Sequence, residues 1–101
     1  MNEQTGNSAS SPEEDRTLVK AFQAGDKTAF DTLVLKHKDK VFNLCYRFLG
    51  DKQEANDCAQ ETFIKVYRSL RKFRFKSAFF TWLYRIAANT CKNKLKSSEY
   101  R

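Results

Sequence analysis

Apolar residues recur along this chain every three or four positions, and no stretch alternates with period two over a useful length. That spacing predicts helices and no strands. The first helix is announced by Ser11-Pro12-Glu13-Glu14, a capping-box signature with proline at the first helical position. Leu18, Val19 and Phe22 form its apolar side, and Gly25 ends it, being able to turn left-handed without a Cβ clash. Asp26 caps a second helix running to about Leu49. Its stripe is Phe30, Leu33, Val34, Val41, Leu44, Cys45 and Phe48, with Lys36, Lys38 and Lys40 mostly off it. Gly50 closes this helix, and Asp51 with Glu54 three residues on opens a third, to about Lys72. Its inward stripe is Ala55, Cys58, Thr62, Phe63, Val66 and Leu70.

Ser77 is placed to cap a fourth helix, and nothing breaks it before Lys96. Phe79, Leu83, Ile86, Ala87 and Thr90 line one face. Arg85, Asn89, Lys92, Asn93 and Lys96 line a roughly opposed one, with Trp82 at its edge. The expected fold is all-α: a compact bundle of three longer helices plus a short N-terminal helix. Short turns favour antiparallel packing of neighbours. The polar residues 1–10 read as a disordered tail.

Charge sharpens this picture. The net charge of +7 is uneven: residues 1–26 carry two Lys/Arg against five Asp/Glu, and residues 74–101 carry seven against one. The basic end points to a polyanion, nucleic acid before membrane. Cations suit phosphates, Asn carboxamides can hydrogen-bond base edges, and an indole can stack on an unpaired base. The third helix carries a different signal. Asp57, Gln60, Glu61 and Lys65 lie on or near one outward stripe, with Ile64 beside them. Two unlike surfaces on 101 residues imply two partners.

Other chemistry is sparse. Cys45, Cys58 and Cys91 lack CxxC spacing and read as small buried hydrophobes, not a zinc or disulfide framework. His37, between Lys36 and Lys38, reads as a surface side chain. No triad, metal-ligand spacing or phosphate-cradling glycine loop is present, so no enzyme activity and no cofactor or metal are expected. The polar, acidic N-terminus has no apolar signal-peptide core, and no apolar run is long enough to span a bilayer, so the chain reads as cytoplasmic.

Three strings in order carry a resemblance. Ala24-Gly25-Asp26-Lys27-Thr28-Ala29-Phe30 is followed by Asp57-Cys58-Ala59-Gln60-Glu61-Thr62-Phe63. Then come Phe73 and Phe79-Phe80-Thr81-Trp82-Leu83-Tyr84-Arg85-Ile86-Ala87-Ala88-Asn89. They resemble region 2 of bacterial extracytoplasmic-function sigma factors, of the sigma-E type, over about Glu14 to Lys96.

That resemblance implies an all-α domain that docks on the clamp coiled coil of the largest subunit of core RNA polymerase. It implies recognition of the promoter −10 element, with bases of the single-stranded non-template strand held out of the stack, and an anti-sigma factor as a further partner. By resemblance, Asp57, Gln60 and Glu61 dock on polymerase, with Ile64 beside them. The loop of Phe73, Arg74, Phe75, Lys76, Ser77 and Ala78, closed by Phe79, forms the pocket for a flipped base. Arg85, Asn89, Lys92 and Asn93 face DNA by the same resemblance; Trp82 and Lys96 join them as DNA-facing candidates from their place on the same helix face.

Two departures stand out. Phe75-Lys76 occupies places where many members have Gly or an acidic residue, and Asn56 replaces an acid often found beside Asp57. By this resemblance the family's second DNA-binding domain is expected to lie outside these residues, and residues 97–101 fall about where a linker would begin. A stand-alone helical DNA- or RNA-binding module, such as a helix-turn-helix regulator, is the alternative. It accounts for the basic helix but not for the Gln-Glu patch.

Overall fold

The computed structural model describes residues 11–99, which form four α-helices and no strand. They are α1 (Pro12–Gln23), α2 (Thr28–Leu49), α3 (Lys52–Ser69) and α4 (Phe79–Glu99), with a 3-10 turn at Leu70–Lys72 extending α3. The expected tail, residues 1–10, lies outside the described residues. The last helix runs through Ser97 to Glu99, three residues past the expected linker boundary, because no Gly or Pro intervenes to stop it.

The caps explain where the helices begin. The Ser11 hydroxyl accepts from the Glu14 N–H at 3.3 Å, and Pro12 sits at the first helical position. Glu14 does not reach back to complete the capping box; its carboxylate meets Lys36 on α2 at 3.1 Å. Asp26 works from one residue further out than expected: its carboxylate accepts from the Thr28 N–H and hydroxyl, while Lys27 holds the cap position itself. Asp51 accepts from the N–H groups of Gln53 and Glu54. Such caps are each worth about 1 kcal/mol. Gly50 ends α2 at φ +71°, a left-handed turn that an L side chain would strain.

α2 packs against each of the other three helices. The core between them includes Val19, Phe22, Leu33, Val41, Ala55, Val66, Leu70, Leu83 and Ala87, all on the expected stripes; Ala29 on α2 and Ala59 on α3 join them from outside those stripes. The three cysteines are buried as expected, and burial pushes the thiols of Cys45 and Cys91 up to about 11 and that of Cys58 to about 12. They therefore stay protonated and uncharged.

His37 is the clear reversal. It is 1% exposed, not a surface side chain. Its Nε2 lies 2.9 Å from Oδ2 of Asp15, itself fully buried, and its ring stacks on Phe80 at 5.3 Å. Position 37 lies four residues from both Leu33 and Val41, so it falls on the core stripe of α2. Of the flanking lysines, Lys38 is exposed, while Lys36 reaches the other oxygen of the same carboxyl, 3.0 Å from Asp15 Oδ1. Burial raises the pKa of the Asp15 carboxyl, but the hydrogen bonds from His37 and Lys36 outweigh it and hold the group below the ordinary carboxylate range. Among the described residues, no helix is long and apolar enough to cross a membrane.

Candidate nucleic-acid interface and docking face

The loop between the 3-10 turn and α4 is held from the far end of the sequence. The Gln23 carboxamide, at the end of α1, donates to the carbonyls of Leu70 and Phe73 at 3.0 Å each and reaches Arg71 at 3.4 Å. The loop's own sequence gives no hint of this tie. Phe75 adopts φ +60°, the single left-handed non-glycine residue among those described. Its ring lies beneath the Arg16 guanidinium at 5.0 Å and meets the ring of Phe73 edge-on at 4.9 Å. A left-handed residue with a side chain costs about 1–2 kcal/mol, which the aromatic and cation–π contacts offset.

Ser77 does not cap α4. Its hydroxyl donates to the Ala78 carbonyl at 3.1 Å, and the first helical bond runs from Trp82 N–H to that same carbonyl. The helix therefore starts one residue late, with Ala78 in the cap position, and Ser77 is left as part of the loop.

Two cavities flank the loop. One, of about 300 Å³, lies toward α1 between Pro12, Glu13, Arg16, Phe73, Phe75 and Phe79, with Ser77 and Ala78 at its edge. The other, of about 520 Å³, is lined by Ser69, Lys72, Phe73, Arg74, Lys76, Ser77, Trp82 and Arg85. The second is large enough for a nucleobase and carries four cationic side chains, two hydroxyls and an indole. Phe73 and Phe79, expected to bound the pocket, are 8% and 4% exposed. They pack on Trp82 with ring centroids 4.7 and 6.0 Å away and serve as the floor of the cavities. The aromatics left reachable are Trp82 and Phe75, both half-buried.

Beyond the loop, Arg85, Asn89, Lys92, Asn93 and Lys96 are exposed on α4, and Leu83, Ala87 and Thr90 are buried beneath them. Asn89, Lys92, Asn93 and Lys96 line one shallow groove with Leu95. The structure therefore joins the loop and the helix face through Arg85, which lines the larger cavity and stands one turn before Asn89.

Asp57, Gln60, Glu61 and Ile64 are all exposed on α3. Glu61 pairs loosely with Lys65 at 3.5 Å, and Lys65 also donates to Thr90 on α4 at 3.1 Å. Beside Gln60 and Ile64 runs an apolar groove of about 650 Å³ between α2 and α3, lined by Phe30, Asp31, Val34, Leu35 and Phe63. Leu35 is 68% exposed and Ile64 51%. Sequence reasoning missed the α2 half of this face. The signal was Leu35, an apolar residue off the core stripe. Large exposed apolar groups rimmed by charge mark a contact surface.

Comparison with known proteins shows the family of this fold. The family model for Sigma-70 region 2 matches residues 33–100. The chain is 60% identical over 83 residues to the RNA polymerase sigma-H factor of Pseudomonas aeruginosa, covering 82% of this chain and 43% of that protein. It is 48% identical over 87 residues to the ECF RNA polymerase sigma-E factor of Haemophilus influenzae, covering 86% of this chain and 46% of that one. It thus spans less than half the length of these curated relatives. Among solved structures, an engineered region 2 of sigmaE in complex with GTAAAA aligns with a TM-score of 0.78 at 44% identity, over 84% of this chain and 88% of that one. With its four helices, its string order and most of its length accounted for in this way, the chain belongs to the Sigma-70 region 2 family, alongside the sigma-E-type factors.

Proposed function

We propose that residues 11–99 act as the −10-reading domain of a cytoplasmic transcription initiation factor. The domain docks on core RNA polymerase, reads the promoter −10 element and holds one non-template base out of the stack. The observation that carries this is the cavity of about 520 Å³ beside the loop, which joins Trp82, four cations and the start of the polar α4 face in one place. Taking a base from the duplex costs a few kcal/mol of unstacking, which pocket hydrogen bonds and stacking repay. Stacking contributes about 1–3 kcal/mol per base. The neighbouring structure, a related region 2 bound to GTAAAA, supports the same use of this fold.

The polymerase contact is assigned to Asp57, Gln60, Glu61 and Ile64, on the clamp coiled coil of the largest subunit. The groove with Leu35 and Val34 extends it. No residue of that groove lines the loop cavities or the α4 groove, so both partners can bind together. An anti-sigma factor would repress by covering one of these two surfaces. A helix-turn-helix regulator would leave the α2–α3 groove without a partner. The reading needs no chemical step, only binding.

The test is a graft. Residues 74–78 are replaced by those of a relative that reads a different −10 base, and binding is measured to single-stranded oligonucleotides varied at each position. Base preference should change at one position only. Preference that ignores the loop and follows substitutions at Arg85 and Asn89 would overturn the pocket assignment.

A further inference from the structure

Cys45, Cys58 and Cys91 stand on α2, α3 and α4, far apart in sequence, yet the fold brings their sulfurs together. All three Sγ atoms lie within 4.8 Å of one another, and those of Cys58 and Cys91 are 3.4 Å apart. Relative exposures are 0%, 2% and 0%. Neither a His nor a carboxylate joins the cluster among the described residues. Three sulfur ligands converging from three helices are the donor set of a soft, three-coordinate centre. With bonds to sulfur of about 2.3 Å, planar three-coordination spaces the sulfurs about 4 Å apart and pyramidal coordination brings them closer. The 3.4 Å pair is already close enough for pyramidal coordination, and the third sulfur lies within 4.8 Å of both.

Charge decides which centre fits. Three thiolates around a zinc ion leave a net negative charge and an empty fourth position; around cuprous copper they leave two negative charges. Burying such charge without a partner is costly. Trivalent arsenic has no such penalty. Arsenous acid condenses with three thiols: three As–S bonds form, three As–O bonds break, and each thiol proton leaves with a hydroxide as water. Oxidation states do not change, and the product is uncharged.

We infer that the three cysteines form a buried binding site for arsenite, a neutral trivalent metalloid, held in three-coordinate geometry at the junction of α2, α3 and α4. The bound atom would cross-link the three longer helices, so binding stabilises the folded chain by mass action. Entry requires a local opening, because no sulfur reaches solvent in the closed bundle. Binding should therefore be slow, and faster in low urea.

The experiment uses the full chain with sodium arsenite in a phosphine reductant free of thiols. Native mass spectrometry should show one arsenic per chain with the loss of three hydrogens, and Tm should rise with arsenite concentration. Cys45→Ala, Cys58→Ala and Cys91→Ala, each confirmed folded by circular dichroism, should bind at least tenfold more weakly; the Cys→Ser variant replaces any Ala variant that fails to fold. The inference is overturned if the parent takes up no arsenic, if arsenite lowers Tm, or if a folded single variant binds as tightly as the parent. Tighter binding of zinc than of arsenite to the parent would overturn it as well.

Discussion

Asp15 is a fully buried carboxyl whose two oxygens face His37 and Lys36, and it holds α1 to α2 at that point. Asp15→Asn removes the charge and should cost about 1–3 kcal/mol, the usual penalty for a disrupted buried polar group, read as a lower urea midpoint. The parent's pKa here is depressed on folding. The stabilisation is therefore complete above the unfolded carboxyl pKa and is lost as pH falls through the folded one. Parent and variant should converge in acid below the ordinary carboxylate range; a gap that persists there would mean the effect is steric. This pair was half legible in the sequence. Asp15 leads Val19 by four and Phe22 by seven, and His37 sits midway between Leu33 and Val41, so both fall on core stripes. Residue type hides this, because a carboxylate and a lysine-flanked histidine belong inside only as partners, and a one-dimensional pattern does not pair positions 22 apart. On α4 the proposed division of labour is tested residue by residue. Lys92→Ala should weaken binding to all DNA sequences about equally and flatten the salt dependence by about one phosphate's worth. Asn89→Ala should narrow the gap between cognate and scrambled −10 oligonucleotides. Identical behaviour of the two would refute the split between positioning and reading.

Among the elements, the loop after the 3-10 turn is the one that depends least on its own sequence. Helices α1 to α3 begin close to where Ser11, Asp26 and Asp51 place them, because a cap is a local contact and local contacts are written locally. Ser77 carried the same signal for α4 and failed, its hydroxyl turned to the Ala78 carbonyl. The loop's path is set instead by Gln23, and its left-handed Phe75 by Arg16, both from α1. Neither contact has a spacing that could be read. Gln23→Ala should free the carbonyls of Leu70, Arg71 and Phe73 from their shared donor and cost about 1–2 kcal/mol in stability. The larger effect should fall on single-stranded oligonucleotide binding, with the off-rate raised and base preference blurred at the captured position. Gln23→Glu, which cannot donate from its carboxylate, should behave like the Ala variant. Unaltered oligonucleotide binding in both would mean the loop holds itself.

On the scale of the whole molecule, one bundle presents two surfaces of opposite character that share no lining residue. Asp57→Lys with Glu61→Lys should weaken binding to core polymerase while leaving helicity and oligonucleotide affinity unchanged. The lost Glu61–Lys65 pair is exposed and worth at most about 1 kcal/mol. Equal affinity for core enzyme would remove Asp57 and Glu61 from the docking face. The Gln23 tie also bears on assembly in time. Its acceptors lie 47 to 50 residues further along the chain. A contact of that span has a loop-closure entropy to overcome, which no short-range bond in the bundle meets. Helices can form as the chain leaves the ribosome, but the loop after the 3-10 turn acquires its shape only when the first helix meets the last third of the polypeptide. On the proposed function, a copy whose α1 has not yet met this loop is helical yet unable to hold a base.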